Sequence, residues 1–212
     1  MQLYGYWRSS AAYRVRIAMH IKAIEFDSIA VHLVKNGGEQ HSDDYVALNP
    51  THLVPTLVDG EFKLNQSLAI IDYLEAKYPT PSIYADDVEQ NAKIKALAFD
   101  IACEVHPVNN LRVQQYLTQE LAVGEQQKSD WVNHWMTIGL SAFEQQVIDC
   151  AGKYCFGDKV SLADICLIPQ LYNAKRFGVD LTSYKTIGRI MANCEKHPAF
   201  IAALPENQPD AQ

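Results

Sequence analysis

Three short segments of the sequence combine hydroxyl, amide and guanidinium groups with backbone that a ligand could reach. The first is Trp7-Arg8-Ser9-Ser10, where a β-like run gives way to a helical one. Backbone N–H groups at a helix start point outward with the positive end of the helix dipole, so a serine there can hold an anion, a thiolate included. Its commoner role is simply to cap the helix. The second is Val54-Pro55, a proline at the head of a strand whose ladder it cannot serve as a donor. In cis this bond would turn the Val54 backbone toward an extended peptide ligand, and in trans it would mark an edge strand. The third is Gln66-Ser67, another helix start that suits a carboxylate or serves only as a cap.

Three arginines, Arg8, Arg112 and Arg176, are each most often solvated surface charges, although the planar guanidinium fork suits bidentate capture of a carboxylate. No Cys or His set has metal-ligand spacing, so no metal is expected, and the five cysteines read as plain thiols. The opening MQLYGYWRSS lacks an apolar signal core, so a reducing compartment, the cytoplasm, is expected. Asn65-Gln66-Ser67 is then a chance glycosylation sequon. A formal net charge of −7, with 7 basic and 9 acidic side chains in residues 1–80, opposes a nucleic-acid partner. With 212 residues, 48% of them hydrophobic and none in a long unbroken apolar run, the chain reads as globular with no membrane partner.

The elements that must position these groups fall into two parts. Gln2 to Tyr6 reads as a strand, followed by a helix with Ala11, Val15, Ala18 and Met19 on one face. Phe26 to Leu33 predicts a second strand, Val54 to Val58 a third, and Phe62 to Leu64 a fourth, hairpinned through Asp59-Gly60. A closing helix runs from Gln66 to Tyr78 and stops before Pro79. Pro79-Thr80-Pro81-Ser82 marks a boundary, since two prolines in three residues cannot continue a helix. Beyond it helical periods dominate. Ile94, Leu97, Ala98, Ile101, Ala102 and Val105 form one apolar face, and Trp131, Trp135, Ile138 and Ala142 suggest another, with both tryptophans in the core. Ser161-Leu-Ala-Asp164 reads as a capping box in its Asp form, a folding device, and opens a helix containing Pro169.

Taken together, the motifs Tyr6-Trp-Arg-Ser-Ser-Ala-Ala-Tyr-Arg-Val-Arg-Ile-Ala18, Ala47-Leu-Asn-Pro50, Val54-Pro-Thr-Leu57, Gln66-Ser-Leu-Ala-Ile-Ile71, Tyr78-Pro-Thr-Pro81, Gly157-Asp158 and Leu162-Ala-Asp164 resemble the glutathione transferases of the zeta class over nearly the whole chain. The resemblance implies an α/β plus all-α fold: a thioredoxin-like glutathione-binding domain over residues 1–80, a linker over 81–87 and a helical bundle over 88–212 that contributes the substrate pocket. It implies a cis Pro55 and a homodimer. It assigns Ser9, with Ser10 beside it, to thiolate stabilisation, and Val54 to the cysteinyl backbone of glutathione. Gln66 and Ser67 would hold the γ-glutamyl end, with Gln40, His106 and Asn110 as further contacts. The class motif usually reads Ser-Ser-Cys, whereas this chain has Ala11, so the reactive sulfur must belong to glutathione.

The function so implied is glutathione-dependent cis–trans isomerisation of a small keto dicarboxylate. Maleylacetoacetate, in tyrosine and phenylalanine breakdown, is the first reading and maleylpyruvate, in gentisate breakdown, the second. The bacterial maleylpyruvate isomerases, a similar group, place carboxylate-binding arginines at the motif positions of Arg8, Arg112 and Arg176. Conjugation or dehalogenation of small α-halo acids needs the same thiolate, and a non-catalytic glutathione-binding module remains open because fold does not fix function.

Overall fold

A computed structural model describes residues 1–212. It divides into two compact units, one formed by Met1–Ser82 with Lys196–Gln212 and the other by Ile83–Glu195.

The first unit is a four-stranded mixed sheet carrying helices. Its elements are β1 (Gln2–Gly5), α1 (Ser10–Ile21), β2 (Asp27–Ala30), α2 (Asp43–Leu48), β3 (Thr56–Asp59), β4 (Phe62–Asn65) and α3 (Ser67–Lys77). The spatial order is β2-β1-β3-β4, with β1 parallel to β2 and antiparallel to β3, and β3 hairpinned to β4. A β-α-β crossover followed by a hairpin and a closing helix is the thioredoxin-like arrangement the sequence implied.

Two local departures have physical causes. The strand expected over 26–33 ends at Ala30, with one further bond from Val31 N to Gly5 O. Beyond it side chains take over the backbone donors: Glu39 Oε2 accepts from His32 N at 2.7 Å, and His32 Nδ1 accepts from Lys35 N at 2.9 Å. Helix α2 was not foreseen, although Ser42-Asp-Asp44 is a helix-start signature, with the Ser42 hydroxyl accepting from Tyr45 N and two acids in the first turn.

Residues Ser10 to Met19 of α1 are all buried. A helix buried all round needs cover beyond one sheet face. Helix α3 packs along one flank and α10 (Pro198–Ala203) along another, with Ala199, Phe200 and Ala203 buried. This corrects the expectation that everything after residue 88 belongs to the helical part: Lys196–Gln212 folds with the first unit because α1 offers it an apolar flank.

The second unit is helical, comprising α4 (Val88–Phe99), a π-helical segment Asp100–Val105, α5 (His106–Val108), α6 (Leu111–Gln119), α7 (Glu125–Val147), α8 (Leu162–Arg176) and α9 (Lys185–Cys194). Ile94, Leu97, Ala98, Ile101 and Val105 are buried in line with their spacing. On α7 the aromatic positions mislead. The buried stripe is Val132, Met136, Leu140, Phe143 and Val147, while Trp135 and Ile138 are exposed and Trp131 is half-buried with its indole donating to Val108 O at 2.9 Å. Gly139 permits a close approach beside that stripe. A Cβ there would stand 2.1 Å from Val105 Cγ2, so glycine lets α7 close on the π-helical segment. No helix is long and apolar enough to cross a membrane.

Candidate active site

The ladder register gathers four candidate segments of the first unit at one end of the sheet. Tyr4 pairs with Thr56, which pairs with Asn65, while Gly5 pairs with Ala30. The chain therefore leaves β1 into Tyr6–Ser10, enters β3 from Val54-Pro55 and leaves β4 into Gln66-Ser67, all at that end. The stretch after β2, which carries Gln40, departs there as well. Segments far apart in sequence become neighbours through hydrogen-bond register alone.

Tyr6 to Ser9 form a tight turn, closed by Ser9 N donating to Tyr6 O at 2.9 Å. Ser9 is the N-cap of α1, and its Oγ accepts from Ala12 N at 3.2 Å. Both readings of this serine are satisfied at once. The oxygen caps the helix, while the hydroxyl hydrogen stays available for an external acceptor. No acid occupies the first turn of the helix. Ser10 is the first residue of the helix and is buried, which leaves Ser9 as the better-placed hydroxyl. Arg8 lies across the turn, with Nη2 donating to the Tyr6 hydroxyl at 3.1 Å and its guanidinium 4.6 Å from the Trp7 ring centroid. Its Nε is buried without a partner.

Val54-Pro55 is cis, and the ladder begins only at Thr56, so the Val54 amide and carbonyl stay out of the strand pairing. What holds this loop is a group the sequence reading passed over. Asn49, fully buried within Ala47-Leu-Asn-Pro50, donates from Nδ2 to Leu53 O at 2.8 Å and to Thr56 Oγ1 at 3.0 Å, while its Oδ1 accepts from Thr51 and Asn65. The Tyr45 hydroxyl adds a bond to Leu53 O at 2.6 Å, and burial pushes its pKa up, partly offset by Thr56 and Asn49. A buried Asn between two turn signals is the trace this role leaves in sequence.

Gln66 caps α3 with φ +67° and ψ 112°, a conformation L side chains rarely adopt. Such outliers persist where surrounding structure imposes them, often at ligand sites. Ser67 is buried, its hydroxyl accepting from Arg14 Nη1 at 3.4 Å. Gln40 is buried as well. Its Nε2 bonds Leu33 O, but its Oε1 has no partner. A groove of about 470 Å³ beneath α2, lined by Tyr4, Ile29, Val31, Tyr45 and Leu48 among others, contains none of these candidates.

The remaining candidates belong to the second unit. His106 begins α5 and is half-buried. Asn110 caps α6, its Oδ1 accepting from Arg112 N at 3.2 Å, while the neighbouring Asn109 is buried with an unpartnered Oδ1. Arg112 is exposed. Arg176, in the last turn of α8, is also exposed, with Nη1 donating to Asn173 Oδ1 at 3.2 Å and its guanidinium 5.0 Å from the Phe177 ring centroid.

The first unit's sheet end brings together Val54 backbone groups outside the ladder, helix starts at Ser9 and Gln66, a capping hydroxyl with its hydrogen to spare, and a buried amide oxygen of Gln40 without a partner. Residues 3–82 match the family model described as glutathione S-transferase, N-terminal domain. A probable maleylacetoacetate isomerase from Vibrio cholerae is 52% identical over 209 residues, 99% of this chain and 97% of its own. The maleylpyruvate isomerase of a Ralstonia species is 41% identical over the whole of both chains. Among solved structures, a holo maleylpyruvate isomerase, a bacterial zeta-class glutathione S-transferase, superposes with a TM-score of 0.96 at 41% identity over both full chains. A Methylobacterium extorquens maleylacetoacetate isomerase with bound malonate and GSH gives 0.96 at 34%, again over both full chains.

Proposed function

This chain belongs to the zeta-class glutathione S-transferases, and from that premise we propose that it isomerises a cis keto dicarboxylate with glutathione as cofactor, maleylacetoacetate being the first candidate substrate. The carrying observation is the Ser9 turn: a capping hydroxyl with its hydrogen to spare, at a helix whose first turn holds no acid, beside the Val54 and Gln66 segments.

Glutathione held here would supply a thiol nucleophile for reversible addition to the alkene carbon β to the ketone, which would permit rotation about that bond and return the thiol unchanged. The chain's own groups set the stage for that chemistry. Ser9 Oγ donates to the sulfur and, with the α1 dipole, favours its deprotonated form. The Val54 backbone, Gln66, Ser67 and Gln40 hold the tripeptide, with His106 and Asn110 proposed as further contacts from the helical unit. Arg8, Arg112 and Arg176 are the proposed carboxylate ligands, and a cation near the ketone steadies the negative charge that gathers on its oxygen. Ala11 leaves no protein thiol at this turn, so glutathione is required and is not consumed.

Maleylpyruvate is the second reading, favoured by the full-length likeness to maleylpyruvate isomerases. Turnover of both keto dicarboxylates, each with and without glutathione, tests the proposal. Isomerisation by dialysed enzyme without glutathione would reject thiol addition, and the ratio of the two kcat/KM values selects the substrate. The same reading makes the protein a cytoplasmic homodimer, which sedimentation at micromolar concentration checks.

A further inference from the structure

Within the Tyr6–Ser9 turn, both backbone groups of Trp7 are bonded by side chains and not by the sheet or the helical ladder of α1. Trp7 N donates to Asp210 Oδ2 at 3.0 Å, and Trp7 O accepts from Arg16 Nη2 at 2.9 Å. Arg16 is buried within α1, and its Nε donates at 3.2 Å to Ala203 O at the end of α10. Trp7 is therefore gripped on both peptide planes. One grip comes from the segment following α10, the other from an arginine that also bonds α10. The pinned residue is the one on which the turn pivots: its ring underlies Arg8, and it stands two residues before Ser9.

We propose that Asp210 is a positioning residue for the thiol site, acting through the Trp7 peptide to hold the Ser9 hydroxyl and the α1 start in line with the glutathione sulfur. The inference rests on the assignment of Ser9 to that sulfur. Without its acceptor the Trp7 N–H would be left unsatisfied and the turn free to rotate toward solvent, carrying Ser9 off its aim. A displacement on the order of 1 Å is costly where a hydrogen bond must meet a developing charge.

The sign of the effect separates positioning from plain charge. Asp210 is an anion, so on electrostatic grounds alone its removal would lower the pKa of a nearby thiol, in the same direction as the cations Arg8 and Arg16 already act. Loss of positioning acts oppositely, because a misaimed Ser9 stabilises the thiolate less.

The test is a titration of glutathione bound to the full-length enzyme, followed by thiolate absorbance, with kcat and the glutathione KM measured beside it. For D210A the thiol pKa is expected to rise by about one unit and kcat at neutral pH to fall about tenfold, with KM little changed. For D210N, which keeps the acceptor and drops the charge, both are expected to stay near the parent's. A D210A pKa that is unchanged or lowered overturns the proposal, as does a D210N that fails as badly as D210A. Should D210A not fold, D210S, too short to reach Trp7 N, takes its place under the same criteria. S9A is titrated in parallel. If S9A leaves the thiol pKa alone, the Ser9 assignment itself is wrong; if S9A raises it and D210A does not, only the role of Asp210 falls.

Discussion

Two serine-capped helix starts, Ser9 at α1 in the first unit and Ser161 at α8 in the second, are used in opposite ways. At α8, Ser161 and Asp164 form a complete capping box: Asp164 Oδ2 accepts from Ser161 N and Ser161 Oγ, both at 2.8 Å, and Oδ1 accepts from Cys155 N at 2.8 Å. Asp164 has no exposed surface, and burial raises its pKa. Three donors around that start, Ser161 N, Ser161 Oγ and Cys155 N, end on one carboxylate. At α1, Ser9 binds one amide, and the first turn holds no acid. A helix start closed by its own carboxylate is a fold device, whereas one left open to an external anion is a site. The acid at the third helical position, not the serine, tells them apart.

The comparison breaks most visibly through Asp164. D164A leaves three buried donors without an acceptor and should cost roughly 3–5 kcal/mol in urea unfolding, with the pKa of bound glutathione's thiol unchanged in whatever enzyme remains folded. A shift of that thiol pKa would mean the two starts are not independent.

R8M tests the open start from the substrate side. Loss of a charged fork should reduce keto-dicarboxylate isomerisation by roughly 2–5 kcal/mol if the carboxylate contact is desolvated, while an uncharged alkylating substrate is turned over nearly as before. Equal losses on both would assign Arg8 to glutathione or to the turn.

S9A should lower turnover at neutral pH by about ten- to a hundredfold, since a hydrogen bond to a charged group is worth about 1.5–3 kcal/mol, and raising the pH should recover part of it. S161A removes a similar hydroxyl from the closed start and should cost about 1 kcal/mol of stability with no change in the pH–rate profile. A flat profile in S9A, or a shifted one in S161A, would erase the contrast.

The smallest expected effect is on pH dependence. Because the folded pKa of Asp164 is raised, the folded state holds this proton more tightly than the unfolded chain does. Its contribution is fully present below the ordinary aspartate value and is lost as pH rises through the raised one. Urea midpoints of the parent between those two values should therefore fall with pH more steeply than those of D164N, which cannot titrate.

The strands, the hairpin, α1, α3 and the α8 capping box were legible because each has a local signature: alternation, Asp59-Gly60, a 3.6 period, Ser161 with Asp164. Ser9, Val54 and Gln66 were visible as chemistry, but their common location depends on strand register, which no local pattern states. Asn49 was missed for the same reason, its partners at 53, 56 and 65 being supplied by the fold. On α7, Trp131 and Trp135 drew attention from the stripe that is actually buried, Val132, Met136, Leu140, Phe143 and Val147, beside which Gly139 admits Val105. The return of 196–212 left no trace in sequence, since α10 reads as one more helix and only the two-sided burial of α1 shows where it is needed.

That return imposes an order on biosynthesis. Residues 1–82 leave the ribosome with the whole sheet and α1, yet the flank of α1 that α10 covers, and the Arg16 bond to Ala203, must wait until the second unit has been made. At roughly 5–20 residues per second that interval lasts several seconds or more. Throughout it the nascent first unit carries an uncovered apolar helix flank and an unpinned Tyr6–Ser9 turn. A ribosome-bound chain stalled after Ser82 should consequently bind hydrophobic-surface chaperones, and the active-site turn reaches its final form only when the last segment docks.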